Sequence, residues 1–520
     1  MTQDIVSKNL KMIDPTNLAS VFAAVDFGPS QTKEAVEYLT RFANFGEDEK
    51  NAQRGATIEK VFPLAFGEEA IIEHTSGYKG LREKPWSKNC WLAPKVICTP
   101  STPQAVSKIL TLVTFLEATF SIRGGGHLQN PGFTSNNGGV VISLENFKSI
   151  TVNEDKSTAS LGAGLNWLEV YKALDHYGLT VTGGRVPSVG VPGLLLGGGL
   201  SFQNSEHGFS CTGVVDYEIV LGDGKIINAN AKENADLFCA LKGGCSNFGI
   251  VTTFTMATVS NKVWAEARLY PSTANNELIE ALMKYHEVIE SDNKATLVFH
   301  VTNQATLMVF FYCAPVENPD VFACFYDVPF LMNILPPGCR TVYDVVQGLA
   351  NVMQQETQSH EMRTMTSLPD LEMFKAVEDE RLHQIEDLKN AGVEDVLLTM
   401  VFQPIASGAI KACNTKGGNP MGLSAQNQSW FLIMADFKNL TDEETVRASC
   451  RTIVSKGEEI SKNNGTHVPF VYANYASRDQ NPLRSYGEEN FEKLKAVAKK
   501  YDPGEVFQKL QNGGWLLSKA

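Results

Sequence analysis

No stretch of this 520-residue chain approaches eighteen consecutive apolar side chains, so nothing in it reads as a membrane-spanning helix. The first twenty residues carry Asp4, Lys8, Lys11 and Asp14 and lack the apolar core of a secretory signal, which points to an intracellular, cytoplasmic protein. A secreted protein stripped of its signal fits less well, as does a peroxisomal one, because Ser518-Lys519-Ala520 only approximates Ser-Lys-Leu. Cationic excess is missing: 45 Lys and Arg against 58 Asp and Glu give a net charge of −13, with no footprint for nucleic acid or an anionic membrane. The ten cysteines include no Cys-x-x-Cys pair and the nine histidines form no cluster at ligand spacing, so no metal site is expected. Cys90 and Cys98 are close enough in sequence for a small-loop disulfide, which a reducing compartment opposes; buried apolar filling is the other use of such cysteines. Internal repeats and low-complexity tracts are also lacking.

What is present is glycine in two concentrated runs. The first is Arg123-Gly124-Gly125-Gly126-His127; the second extends from Gly183-Gly184-Arg185-Val186-Pro187-Ser188-Val189-Gly190 through Pro192-Gly193 to Gly197-Gly198-Gly199. Glycine lets backbone approach a ligand closely, and consecutive inward N–H groups form a nest for a pyrophosphate. His127 would then sit beside whatever the pyrophosphate carries, and a flavin is the reading these runs support. Downstream come His207-Gly208-Phe209, a strand-like Tyr217 to Leu221 turning at Asp223-Gly224, and Gly243-Gly244-Cys245-Ser246-Asn247-Phe248-Gly249-Ile250-Val251. Near the end stand Tyr472-Ala473-Asn474-Tyr475 and Tyr501-Asp502-Pro503-Gly504.

In this order and spacing the motifs resemble the berberine bridge enzyme-like branch of the vanillyl-alcohol oxidase and p-cresol methylhydroxylase (PCMH) flavoproteins, of the fungal secondary-metabolism type. The resemblance covers Tyr78 to the C-terminus and is weaker between about 260 and 400. It implies an α+β fold with a two-subdomain FAD-binding domain of the PCMH type and a substrate domain whose antiparallel sheet is covered by helices. Periodicity agrees. Residues 30 to 45 form an amphipathic helix; Val106 to Leu116 and Trp167 to His176 are helical; Thr296 to Val301, Thr306 to Tyr312, Val396 to Phe402 and Trp430 to Phe437 alternate as strands. The expected domains are an N-terminal helical extension (1–60), the FAD-binding domain (61–260), the substrate domain (261–455) and a C-terminal segment returning to the FAD-binding domain (456–520).

The resemblance also assigns residues. His127 is the expected covalent FAD attachment, with a hydrogen-bonded loop histidine as the other reading. The cofactor-binding set is Arg123, Gly124, Gly125, Gly126, His127, Leu128, Pro187, Val189, Gly190, Gly193, Gly197, Gly198, Ser201, Gly208, Gly249, Ile250, Val251 and Asn474. Bicovalent relatives carry cysteine where this chain has Val186, so a single linkage is expected. Leu194 replaces a histidine of some relatives, and Thr212-Gly213 replaces their Asp-Asn, which puts those two polar contacts in doubt. Val189 stands where valine marks an oxidase and a bulkier residue a dehydrogenase. Tyr475, with Tyr472 beside it, is the expected catalytic pair, Tyr475 acting as base; packing is the alternative for both. His300 and Asp436 interrupt apolar strands and either face the pocket or serve structure, while Gln403 and the Gly417 to Leu423 loop resemble fungal members. The implied activity is an FAD-dependent oxidase that dehydrogenates a mid-sized secondary metabolite, with or without oxidative cyclisation. Hydride passes to the His-linked flavin, and molecular oxygen reoxidises it to give hydrogen peroxide. The alternative is a non-redox isomerisation or pericyclic cyclisation on the same fold.

Overall fold

The computed structural model describes residues 17–353 and 358–520; the four charged residues that argue against a signal, with the rest of the first sixteen, lie outside them. The expected N-terminal helix spans Pro29–Ala43, between helices Leu18–Val25 and Glu47–Phe66. Proline at its first position costs no hydrogen bond, because the opening N–H groups of a helix have no intrahelical partner. Its buried stripe, Ala35, Leu39 and Phe42, packs toward the helix Pro103–Phe115, where Phe42 meets Phe115 at 6.5 Å.

A first sheet joins β1 (Ala70–Ile72), β2 (Val96–Cys98), β3 (Phe120–Arg123) and β4 (Val140–Ser143) in the order β1-β2-β4-β3. The parallel strands β2, β3 and β4 are buried along nearly their whole length, as parallel strands covered on both faces are. Cys90 and Cys98 are separate buried thiols, not the disulfide their spacing allowed. Next come β5 (Ile150–Val152), β6 (Thr158–Gly162), the short β7 (Leu179–Thr180), β8 (Val214–Val220), β9 (Ile226–Asn230) and β10 (Ile250–Ala257). Five of them form an antiparallel sheet ordered β5-β6-β10-β8-β9; Asp223-Gly224 closes the β8–β9 hairpin, and β7 pairs with β11 (Val259–Ser260).

The third sheet has eight antiparallel strands: β12 (Lys262–Pro271), β13 (Ala295–Val301), β14 (Ala305–Tyr312), β15 (Met332–Thr341), β16 (Ser359–Ser367), β17 (Leu397–Ile405), β18 (Gln428–Phe437) and β19 (His467–Val468). Their order is β15-β12-β14-β13-β17-β18-β16-β19. Alternation sorts their side chains onto two faces. Phe299, Phe310, Phe402 and Phe431 join the buried stripes of helices Asn275–Val288, Leu371–Asn390 and Glu443–Asn463 in one core. Val298, Val309, Phe311, Val401, Trp430 and Leu432 point the other way, into a core shared with Leu195, Phe202 and Phe209 of the glycine-rich region. A fully buried phenylalanine such as Phe402 is worth about 3–5 kcal/mol against alanine, so the helix-covered face is a rigid back for the other. The C-terminal segment extends the first sheet: Phe120 N–H donates to Leu510 O at 2.9 Å, and Asn512 N–H to Phe120 O at 2.7 Å.

Candidate active site

The helix Trp167–Asp175 dictates the path of the second glycine run. Asn166 and Glu169 form a reciprocal cap at its start, fixing where Trp167 emerges. Trp167 lies against Gly183 and Gly184 so closely that a side chain at either would run into its indole. The backbone N–H groups of Trp167 and Leu168 donate to Val189 O (3.1 Å) and Pro187 O (3.2 Å), and the Tyr171 hydroxyl donates to Gly184 O (2.8 Å). Held this way, the run meets the first: a methyl on Gly125 would stand 2.6 Å from the Cα of Gly190, and Gly124 abuts Pro192. Farther on, Gly197 abuts the Asn474 amide, which donates to Leu194 O (3.1 Å) and Tyr472 Oη (3.0 Å). Gly198, at φ +101°, lies under Met421 and Tyr472.

His127 Nε2 lies 3.0 Å from Ser188 Oγ, joining the two glycine runs. Its ring stacks on Trp86 at 4.6 Å, and the other side of Trp86 stacks on buried His360 at 3.5 Å, which neighbours Asp436 at 3.5 Å. Burial lowers the His127 pKa to about 4, leaving a neutral imidazole near pH 7. Neither Trp86 nor His360 stands out in the sequence. Behind His127, the side-chain amides of Gln129 and Asn130 both donate to Ala476 O, while their carbonyl oxygens find no partner.

The other expected cofactor residues divide. Gly193 is exposed with open space where a side chain would be, and Val189 and Leu128 are part-exposed. Arg123 turns away beneath the glycine turn: it is buried, Nη1 donates to Leu81 O at 2.8 Å, and burial lowers its pKa to about 10. Ser201 is buried and accepts from Gln203 N–H, and Gly208 packs on Cys413. Gly249 packs on Ile219, with Ile250 and Val251 opening β10 beside β8. Of the departures from the family pattern, Leu194 contributes its carbonyl and Thr212 donates to Cys413 Sγ at 3.0 Å.

Tyr475 is where the glycine-rich region meets the third sheet. Arg185 Nη2 donates to its Oη at 2.8 Å and also to Gln403 Oε1, while Gln403 Nε2 donates to the same Tyr475 Oη at 3.0 Å. Tyr472 meets Tyr475 edge-on at 4.8 Å and is itself buried, its pKa raised by burial. His300 stands on the same face of β13 as Val298; burial, with the Arg185 charge adding, lowers its pKa to about 4. Arg185 was not singled out in the sequence, where only its place in the second glycine run marks it.

The FAD binding domain family model matches residues 94–230, and the berberine and berberine-like model matches residues 471–512. An FAD-dependent monooxygenase of Arthrobotrys oligospora is 38% identical over 461 residues, 88% of this chain and 89% of that protein. The chain belongs to the berberine bridge enzyme-like family of FAD-linked oxidoreductases. Within that family the bifunctional solanapyrone synthase of Alternaria solani is 34% identical over 82% of each chain. In fold, the 6-hydroxy-D-nicotine oxidase of Arthrobacter nicotinovorans is similar at a TM-score of 0.72, with 20% identity, covering 87% of this chain and 99% of its own. The cofactor is FAD, and the residues fit it: touching glycine runs, a neutral His127, and the unpartnered Gln129 Oε1, Asn130 Oδ1 and Ser210 Oγ are suited to a ligand rich in hydroxyl and N–H donors. Among the described residues no metal-binding cluster occurs, and no helix is long and apolar enough to cross a membrane.

Proposed function

We propose that this oxidoreductase is an oxidase that dehydrogenates a mid-sized secondary metabolite, with Tyr475 as the base. The observation that carries this reading is the convergence of two donors, Arg185 Nη2 and Gln403 Nε2, on the Tyr475 oxygen. A guanidinium at 2.8 Å stabilises negative charge there, and the amide fixes the remaining orientation. Bound FAD supplies the acceptor for the hydride. Tyr475 takes the proton from the substrate hydroxyl or amine as the neighbouring C–H bond gives up its hydride. Tyr472, pinned by Asn474, holds the Tyr475 ring edge-on, and His300 stays neutral beside the Arg185 cation.

His127 is the proposed single point of flavin attachment. Its neutral ring can act as a nucleophile, Trp86 fixes the ring plane, and valine at 186 cannot form a second bond. Cys211 and Cys245 do not replace the missing cysteine, since both are buried and burial raises their pKa, that of Cys245 to about 12. Val189 leaves room for oxygen, whose reduction would release hydrogen peroxide. Ring closure of the oxidised product is part of the proposal, and a relative named a bifunctional synthase fits a second step beside dehydrogenation. Anaerobic mixing with candidate metabolites tests the reading: bleaching of the flavin absorbance with product formation is expected. Product without bleaching would show instead a non-redox isomerisation or pericyclic cyclisation.

A further inference from the structure

We infer that the substrate presents an anionic oxygen, that of a carboxylate or of the enolate of a 1,3-dicarbonyl, to the guanidinium of Arg185. This rests on the reading of the Tyr475 cluster as the substrate site. Arg185 is half-buried, and among the described residues no carboxylate pairs with it. Its neighbours are uncharged: the Gln403 amide, the Tyr475 phenol, the Phe202 ring 6.0 Å from its Cζ, and His300, which stays neutral near pH 7. The protein side chains of the cluster thus supply one positive charge and no negative one. A cation drawn out of water needs an anion or a full set of acceptors.

Only Nη2 is engaged by protein side chains, so Nε and Nη1 keep their N–H donors for a ligand. Both parallel-donor edges of a guanidinium include Nη2, which Gln403 and Tyr475 occupy, so Nε–H and Nη1–H are each left to make a single charge-assisted hydrogen bond to an anionic oxygen. On one side, Phe202 stacks on Phe311 at 5.0 Å and 10°, both wholly or almost wholly buried, forming an apolar backing that excludes water from that side. Because the same Nη2 touches Tyr475, an anion held at the other donors would sit next to the proposed base. Arg185 is then a specificity-determining residue as well as the partner of the phenol.

The test titrates flavin-loaded enzyme with two acids, benzoate and 4-hydroxy-6-methyl-2-pyrone, against their uncharged counterparts, benzamide and 4-methoxy-6-methyl-2-pyrone, following the flavin absorbance spectrum. One acid or both should bind roughly ten- to a hundredfold more tightly than its neutral counterpart, the range expected for charge-assisted hydrogen bonds. Preference for benzoate alone identifies the carboxylate, and preference for the pyrone alone the enolate. Arg185→Gln should abolish the preference while keeping its flavin. Arg185→Lys, which keeps the charge and loses the Nε and Nη1 donors, should fall between the two and serves if the glutamine variant fails to fold. Equal affinity for acids and neutral counterparts would overturn the inference, as would a preference that survives Arg185→Gln. These outcomes are independent of the redox reading: an enzyme whose flavin no metabolite bleaches could still prefer the anions, and one that is bleached could be indifferent to charge.

Discussion

The backbones of Gly125 and Gly190 lie against each other so tightly that a methyl group on either would stand 2.6 Å from the other's Cα. Two loops 65 positions apart therefore share one surface, and neither can take a side chain at its contact point. Gly125→Ala or Gly190→Ala should cost on the order of 1–3 kcal/mol of stability and lower the flavin-to-protein ratio of the purified enzyme. Normal flavin in the Gly190 variant would refute the shared-surface account.

Attachment of the flavin is checked by acid precipitation. The pellet should stay yellow and give one flavin peptide containing His127, with no cysteinyl adduct. His127→Ala should still bind FAD, release it all on denaturation, and show a lower redox potential. Trp86→Ala keeps the imidazole and removes its stacking partner, so the covalently bound fraction should fall without vanishing.

For the base, Tyr475→Phe removes the hydroxyl and preserves the ring against Tyr472. Stopped-flow flavin reduction should slow by roughly 10²- to 10⁴-fold with flavin content unchanged. A rate within about threefold of wild type would make Tyr475 a packing residue and move the search to Tyr472, His300 or Asp436.

The proposed route for oxygen is tested at Val189. Reduced enzyme should reoxidise rapidly in air with release of hydrogen peroxide, and Val189→Leu should slow that half-reaction much more than flavin reduction. Equal slowing of both halves would assign Val189 to pocket shape.

Acid should unfold the protein early, because burial lowers the pKa of His127, His286 and His300 to about 4 from about 6.5. Between those values the unfolded chain binds more protons than the folded one, so stability falls as pH drops from about 6.5 and the loss is complete near 4. The melting temperature should decline across that window. His286→Gln, remote from the Tyr475 cluster, should flatten the decline by removing one of the protons taken up on unfolding; an unchanged slope would mean His286 is not buried neutral.

The strands that could be read from sequence are those whose two faces differ. Leu398, Met400 and Phe402 alternate with Thr399, Val401 and Gln403, and one face meets helices while the other meets the glycine-rich region. β16, with His360, Glu361, Arg363, Thr364 and Thr366, gives no such signal because polar groups are buried on both its sides: Glu361 accepts from Ser477, Thr364 donates to Phe431 O, and Arg363 pairs with Asp479. β15 carries Pro336 and Pro337, which an edge strand tolerates and a central one does not. The glycine runs and tyrosines were visible as motifs. Arg185 was not, because its meaning comes from Gln403 and Tyr475, 218 and 290 positions away, and a lone cation in a loop has no periodicity.

The strap formed by residues 510–512 along β3 also orders events during synthesis. Phe120 begins the strand that leads into the first glycine run, yet its backbone N–H and C=O are satisfied by Leu510 and Asn512, made long after it. Gln129 and Asn130, just past His127, likewise wait for Ala476. A ribosome reading from the N-terminus delivers both glycine runs long before it delivers their anchors. Flavin incorporation thus belongs after residues 476 to 512 have emerged and folded back, however early the glycine runs themselves are made.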